Sequence, residues 1–168
     1  MVQLAKLWWR TKIERGQAEA LRIFVNVDPD GLDSGGFGSA VAVTRTNVTG
    51  FDYIPAQSSR SVDAEANLAW DRTGGLYDGR VYLVYTNEMP DESNNTDIYL
   101  RFSDDSGTTW SSPVRVNDDL STNSQFLPEI AVDQTTGYLA VSWHDARNDT
   151  GSGSPSDTNG IANDDAQL

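Results

Sequence analysis

The stretch Trp143-His144-Asp145-Ala146-Arg147 contains the residue types that acid–base chemistry requires. His144 is the only histidine, and imidazole is the side chain that most readily exchanges a proton near neutral pH. Asp145 and Arg147 follow it, and Glu129 lies in the preceding predicted strand. We therefore predict that His144, Asp145, Glu129 and Arg147 form a catalytic set. The alternative is that His144 is a hydrogen-bonded residue at the end of a strand.

Acid-rich loops indicate a second kind of chemistry. The spacing Asp28-x-Asp30-x-x-Asp33, followed by Gly35-Gly36, has part of the pattern of a calcium loop but lacks its closing glutamate. Clustered carboxylates, amides and carbonyl oxygens are the ligands that Ca²⁺ prefers. We predict Ca²⁺ as a cofactor, with these acids as ligands: Asp28, Asp30, Asp33, Glu65 and Glu88. The alternative is that these acids are solvated loop residues.

The composition limits the class of protein. The chain has 168 residues, enough for one ordinary domain with a core, and its β-branched residues, aromatics and recurring turn residues favour an all-β fold. A net charge of −13 argues against a nucleic-acid partner, because the phosphate backbone requires basic patches. No apolar run reaches membrane-spanning length, so we expect no membrane partner. With no cysteine, neither a disulfide nor a thiolate metal site can form.

One eight-residue motif predicts a particular turn. In Ser103-Asp104-Asp105-Ser106-Gly107-Thr108-Thr109-Trp110, the Ser103 position ends a strand and the Asp105 carboxylate can accept backbone N–H groups across the turn. Gly107 can adopt the positive φ that such a turn needs. Trp110 begins the next strand and is expected to pack under the turn.

The motif Ser-x-Asp-x-Gly-x-Thr-Trp resembles the Asp-box, or BNR repeat, of sialidases and related β-propellers. In that family the box is a structural turn away from the active site. The stretch Leu127–Asn148 looks like secreted bacterial members, so the resemblance implies a secreted or periplasmic protein, although this chain shows no signal peptide. The Phe/Tyr-Arg-Ile-Pro motif of sialidases is absent.

Two similar stretches define a repeat. Matching Asp71 to Asp133 gives a period of 62 residues, which suggests four-stranded propeller blades. The predicted partial β-propeller, residues 21–168, has an incomplete blade at 21–57, a full blade at 58–119 and an incomplete blade at 120–168. The long acid-rich loops then lie on one face, where propellers usually carry their function.

The first twenty residues have a different pattern. Leu4, Leu7, Trp8 and Ile13 could share one face of a helix, and the segment lacks β-type alternation. We predict a leader at residues 1–20 that is either helical or non-native.

About two blades per chain would leave exposed sheet edges. We expect that the terminal strands of one copy complete the leading blade of the next, so that homo-oligomerisation closes the ring. A homo-trimer would give six blades, the number in sialidase-like propellers, and a dimer is the alternative.

The predicted function follows from the resemblance and the acidic face. We expect a hydrolase on a sialidase-like β-propeller, with an acid-rich site near the central channel. It would hydrolyse ester, phosphoester or glycosidic bonds of a small molecule or glycan, with Ca²⁺ assisting. The alternative is a non-catalytic module that binds glycans or proteins, for which Trp143, Tyr85 and Trp70 are candidate stacking surfaces.

Overall fold

The computed structural model describes residues 4–10, 21–31, 33–48, 52–90, 93 and 95–149, with the backbone alone described at 4–10, 21, 52 and 57–59. These residues form an all-β structure, as predicted, and no helix that could span a bilayer occurs among them. The strands are β1 Leu4–Arg10, β2 Leu21–Asp28, β3 Val41–Thr46, β4 Asp52–Ile54, β5 Gln57–Val62, β6 Asn67–Trp70, β7 Val81–Glu88, β8 Thr96–Ser103, β9 Val114–Arg115, β10 Gln125–Val132 and β11 Leu139–Asp145.

The central sheet is a four-stranded antiparallel meander in the order β6-β7-β8-β9. Its β7–β8 hairpin is paired without interruption from Val81 opposite Ser103 to Glu88 opposite Thr96. All eight residues of β7 are buried. A strand covered on both faces is apolar on both, which explains the run Val81-Tyr82-Leu83-Val84-Tyr85.

Two further sheets cover the faces of the central sheet. On one side, Leu83 and Tyr85 pack in a cluster with Ile23 of β2, in the leading sheet β1-β2-β3. On the other, Tyr82 and Val84 pack with Ile130 of β10, in the trailing sheet β10-β11. The described residues therefore form three stacked layers, with the β4–β5 hairpin as a separate two-stranded sheet. Blades and a closed ring remain predictions.

The 62-residue repeat is visible in the contacts between layers. Hydrogen bonds join residues one period apart: the Leu127 amide donates to Glu65 Oε2 over 2.7 Å, and the Arg72 amide donates to Gln134 Oε1 over 2.9 Å. The Asn67 side chain also donates to the Glu129 carboxylate, 62 residues away. Corresponding positions of β6 and β10 thus lie side by side.

Residues 4–10 correct one expectation. They form strand β1, in which all seven residues pair with β2, from Leu4 opposite Asp28 to Arg10 opposite Arg22. A helix there is wrong, because the edge of β2 offers backbone hydrogen bonds that a local pattern does not reveal. β1 also pairs with the edge of β2. At this edge we expected another copy of the chain to supply the first strand of the leading blade. Residues 1–3 and 11–20 of the predicted leader lie outside the described residues.

The eight-residue motif forms the turn that was predicted from it. Asp105 Oδ1 accepts the Thr109 amide and the Ser103 hydroxyl, each over 2.8 Å, and Gly107 has a φ of 89°. Trp110 donates its ring N–H to the Gly107 carbonyl over 3.1 Å and packs against the core that the leading and central sheets share. The turn thereby holds β8 against the leading sheet.

Candidate functional site

His144 lies in a packing contact. Its half-buried ring stacks on Phe126, with centroids 5.4 Å apart and planes 15° from parallel, and the two residues are opposite each other in the β10–β11 register. Phe126 is itself buried in a small cluster with Val62 and Ala146. The histidine thus covers the end of this cluster.

Asp145 and Arg147 lie together in a closed ion pair. Arg147 Nε donates to Asp145 Oδ2 over 2.8 Å, and its Nη2 donates to Asp118 Oδ1 over 2.9 Å. Burial acts to raise the pKa of Asp145, but hydrogen bonds from Arg147 and Gln125 outweigh it, so the pKa is lowered. The bonds to Asp145 and Asp118 raise the pKa of Arg147. Both groups therefore stay charged and bonded to each other.

A buried amide holds this pair in place. Gln125 is fully buried, and its Nε2 donates to Asp145 Oδ1 over 3.2 Å, while its Oε1 accepts Asn117 Nδ2 over 2.9 Å. Asn117 Nδ2 also donates to Asp97 Oδ1 over 2.7 Å. This network joins the start of β8 to the start of β10 and the end of β11, which indicates a structural role.

Glu129 is separate from that network. It is exposed on β10 and accepts a hydrogen bond from Asn67 on β6. The structure thus places the four predicted catalytic residues in three different contacts: the His144 stack, the Asp145–Arg147 pair and the Glu129–Asn67 bond. A catalytic role for these four residues remains a prediction.

Glu65, one of the predicted calcium ligands, has a raised pKa. Burial, and to a smaller extent the nearby Asp63 carboxylate, raises the pKa of Glu65 to about 7, although the hydrogen bond from Leu127 lowers it. A carboxyl group with this pKa can exchange protons at neutral pH.

The other predicted calcium ligands lie in turns or in the core. Asp28 is buried and caps its own loop by accepting the Asp30 and Gly31 amides, at 3.1 and 3.2 Å. Asp30 accepts the Gly35 amide, Asp33 accepts the Ser34 amide, and Glu88 is buried at the end of β7. Within the described ranges, no three or more His, Asp or Glu side chains are grouped so as to hold a metal ion.

A cleft that the sequence analysis did not predict lies between the leading and central sheets. It has a volume of about 360 Å³, and its floor includes Tyr85 and Tyr99, stacked with centroids 5.9 Å apart. We call it the arginine cleft because two arginines line it; its lining residues are Thr44, Arg45, Tyr85, Asn87, Met89, Tyr99, Arg101 and Pro113.

The two arginines of this cleft have no acidic partner among the described residues, whose salt bridges use Arg80, Arg115 and Arg147. Arg101 Nη1 donates to the Ser111 carbonyl over 2.6 Å, but its buried Nε has no hydrogen-bond partner within the described part of the chain. Arg45 is exposed. It lies directly opposite Arg22 across β2 and β3, a like-charge arrangement that is normally unfavourable. The cleft is thus cationic in a chain of net charge −13.

Part of this site could have been found from sequence. In β7, Tyr85 and Asn87 are two residues apart and so share one face, and the same is true of Tyr99 and Arg101 in β8. Tyr85 was already a candidate stacking surface, whereas Trp143, another candidate, packs against the core between the central and trailing sheets. The position of Arg45 depends on how two sheets pack, which no local pattern records.

Comparisons with known protein families, curated proteins and solved structures gave no match. A functional assignment therefore depends on the chemistry of the residues themselves.

Proposed function

We propose that this chain is a non-catalytic binding module that holds an acidic ligand in the arginine cleft. The observation that carries the proposal is Arg101 Nε, a buried donor without an acceptor among the described residues. Buried donors are normally paired, because an unpaired one loses its water without gaining a hydrogen bond. A ligand carboxylate or sulfate would supply the acceptor.

The rest of the cleft fits such a ligand. A guanidinium donates two parallel hydrogen bonds to a carboxylate, and Arg45 adds a second positive charge at the exposed side. The stacked Tyr85 and Tyr99 rings offer an apolar surface beside these charges. A volume of about 360 Å³ lies at the small end of ligand sites, so one acidic residue or sugar unit fits.

The contacts of the predicted catalytic residues also favour binding over hydrolysis. Asp145 and Arg147 satisfy each other, and the His144 ring covers Phe126.

Calorimetric titration tests the proposal. The probes are a glutamate-rich octapeptide and an oligogalacturonate, each with a neutral counterpart: the glutamine peptide and the methyl-esterified saccharide. We expect one acidic probe to bind, its neutral counterpart to bind about tenfold more weakly, and the affinity to fall with salt. The double variant Arg45→Gln/Arg101→Gln should lose this binding.

A matched double variant controls for the change in net charge. Arg60 and Arg72 are exposed elsewhere, so Arg60→Gln/Arg72→Gln removes the same charge without touching the cleft. Equal losses in both double variants, or no binding of either acidic probe to the natural protein, would overturn the proposal.

A hydrolase remains the second candidate, favoured by the Glu65 carboxyl group with its pKa of about 7. In this reading Glu65 donates or accepts the proton during cleavage of an ester, phosphoester or glycosidic bond. The test is turnover of chromogenic substrates of these three types, with and without a calcium chelator. Activity that Glu65→Gln abolishes would support it, whereas no turnover, or turnover unchanged in the variant, would exclude Glu65 from catalysis.

The stacked sheets also support a propeller that closes by assembly. Layers that repeat every 62 residues continue naturally into further layers supplied by other copies. About two blades per chain and six in the ring, as a homo-trimer, remain the proposed arrangement.

A further inference from the structure

At the arginine cleft, the leading sheet has one strand fewer than the central sheet. The central sheet has four strands and the leading sheet three, with β3 as its last strand. β3 lies over β7, because Thr46 Oγ1 donates to the Thr86 carbonyl over 2.9 Å and the Asn47 amide donates to Asn87 Oδ1 over 2.8 Å. The next position in the leading sheet therefore lies over β8 and β9, where the arginine cleft is.

The outer edge of β3 has no strand partner among the described residues. β4 follows β3 in the chain, but it pairs with β5 instead. An unpaired edge presents backbone donors and acceptors that another extended chain can pair with. Thr44 and Arg45, which line the cleft, belong to this edge strand.

We propose that the arginine cleft takes an extended acidic peptide segment of a partner protein, which pairs with β3 as the fourth strand of the leading sheet. The proposal rests on the proposed function and narrows its ligand to one class. Charge complementarity identifies the occupant, since Arg45 and Arg101 line the cleft and neither has an acidic partner among the described residues.

The surroundings of the cleft suit a strand rather than an isolated anion. Side chains two residues apart on a strand point to the same face, so every second residue of the peptide reaches toward the cleft. Met89, in the cleft lining, is 63% exposed. An added strand would cover this apolar surface and so contribute to binding.

Fluorescence anisotropy with labelled octapeptides tests strand pairing separately from charge. The parent peptide alternates glutamate with threonine, and two derivatives carry N-methyl groups on the amides of one edge or of the other. Strand pairing predicts that methylation of at least one edge weakens binding about tenfold, because it removes the donors that β3 accepts. The glutamine version of the peptide should also bind about tenfold more weakly.

The other possible results separate strand pairing, the class of ligand and the proposed function. If both methylated peptides bind as well as the parent, and Arg45→Gln/Arg101→Gln removes that binding, strand pairing is wrong while the acidic ligand stands. If the parent peptide fails to bind and the oligogalacturonate binds, the ligand is a saccharide and this inference is overturned. If neither probe binds the natural protein, the proposed function fails as well.

Discussion

Glu65 and Leu127 are 62 residues apart in sequence, and the Glu65 carboxylate accepts the Leu127 amide over 2.7 Å. Both residues have a positive φ, 43° and 54°, which non-glycine residues seldom adopt. The same unusual conformation thus recurs one period later in the chain. The repeat is therefore present in the backbone geometry as well as in the residue pattern.

The raised pKa of Glu65 predicts a pH dependence of stability. Because the folded-state pKa of about 7 is above the ordinary value of 4.5, folding favours the protonated carboxyl group. The contribution of Glu65 to the free energy of unfolding is fully present below pH 4.5 and is lost as the pH rises through 7. Glu65→Gln mimics the protonated form, so its free energy of unfolding relative to the natural protein should increase between pH 5 and pH 8. Urea denaturation at both pH values measures this, and a constant difference would contradict it.

The Asp105 turn predicts the opposite pH dependence. Hydrogen bonds from the Thr109 amide and hydroxyl, and from the Ser103 hydroxyl, lower the pKa of Asp105 from 3.8 to about 2. The contribution of Asp105 to the stability of the fold is therefore present above pH 3.8 and is lost as the pH falls toward 2. Asp105→Ala should lower the melting temperature at pH 7, and the difference should narrow on acidification.

The adjacent Asp104 provides the control for Asp105. Asp104 is exposed and pairs with Arg80, over 2.6 Å, in a surface salt bridge. Such bridges contribute little, so Asp104→Ala should change the melting temperature less than Asp105→Ala. Equal effects would mean that the turn bonds are not what stabilises this segment.

The two carboxylates that hold Arg147 should differ in their effect on stability. The Asp145 side chain is 12% exposed and that of Asp118 is 86% exposed. Asp145→Ala removes buried charge-assisted hydrogen bonds and should lower the free energy of unfolding by about 1–3 kcal/mol. Asp118→Ala should change it by less than about 0.5 kcal/mol, because the pair that it breaks is solvated. Chemical denaturation of both variants checks this, and the reverse order would contradict the structural role of Asp145.

The assembly prediction is tested by mass. Light scattering coupled to size-exclusion chromatography should give three times the chain mass of 18.4 kDa for a homo-trimer. A mass of two chains would support self-association but would contradict the six-bladed ring. A folded species with the mass of one chain would remove the assembly proposal and leave the arginine cleft to be tested by binding alone.

Local patterns predicted the local structure. The spacing of Ser103, Asp105, Gly107 and Trp110 gave the turn, because the turn depends on residues close in sequence. The all-β class followed from composition.

Contacts between distant residues could not be predicted in this way. β1 forms because the edge of β2 is free to pair with it, which residues 4–10 alone do not reveal. Asp145 and His144 have the residue types of an active site, but their neighbours Gln125 and Phe126 determine what they do. The arginine cleft likewise depends on the packing of β3 over β7.

The most direct measurement of the central proposal is the nuclear magnetic resonance signal of the Arg101 Nε–H group during titration with the acidic octapeptide or the oligogalacturonate. Arg101→Gln assigns the signal, and Arg80, whose Nε already donates to Asp104 over 2.6 Å, serves as the internal control. We predict that the Arg101 signal moves with saturation as a probe binds while the Arg80 signal stays in place. An Arg101 signal that stays fixed with both probes, at concentrations that saturate any binding, would contradict the proposed function.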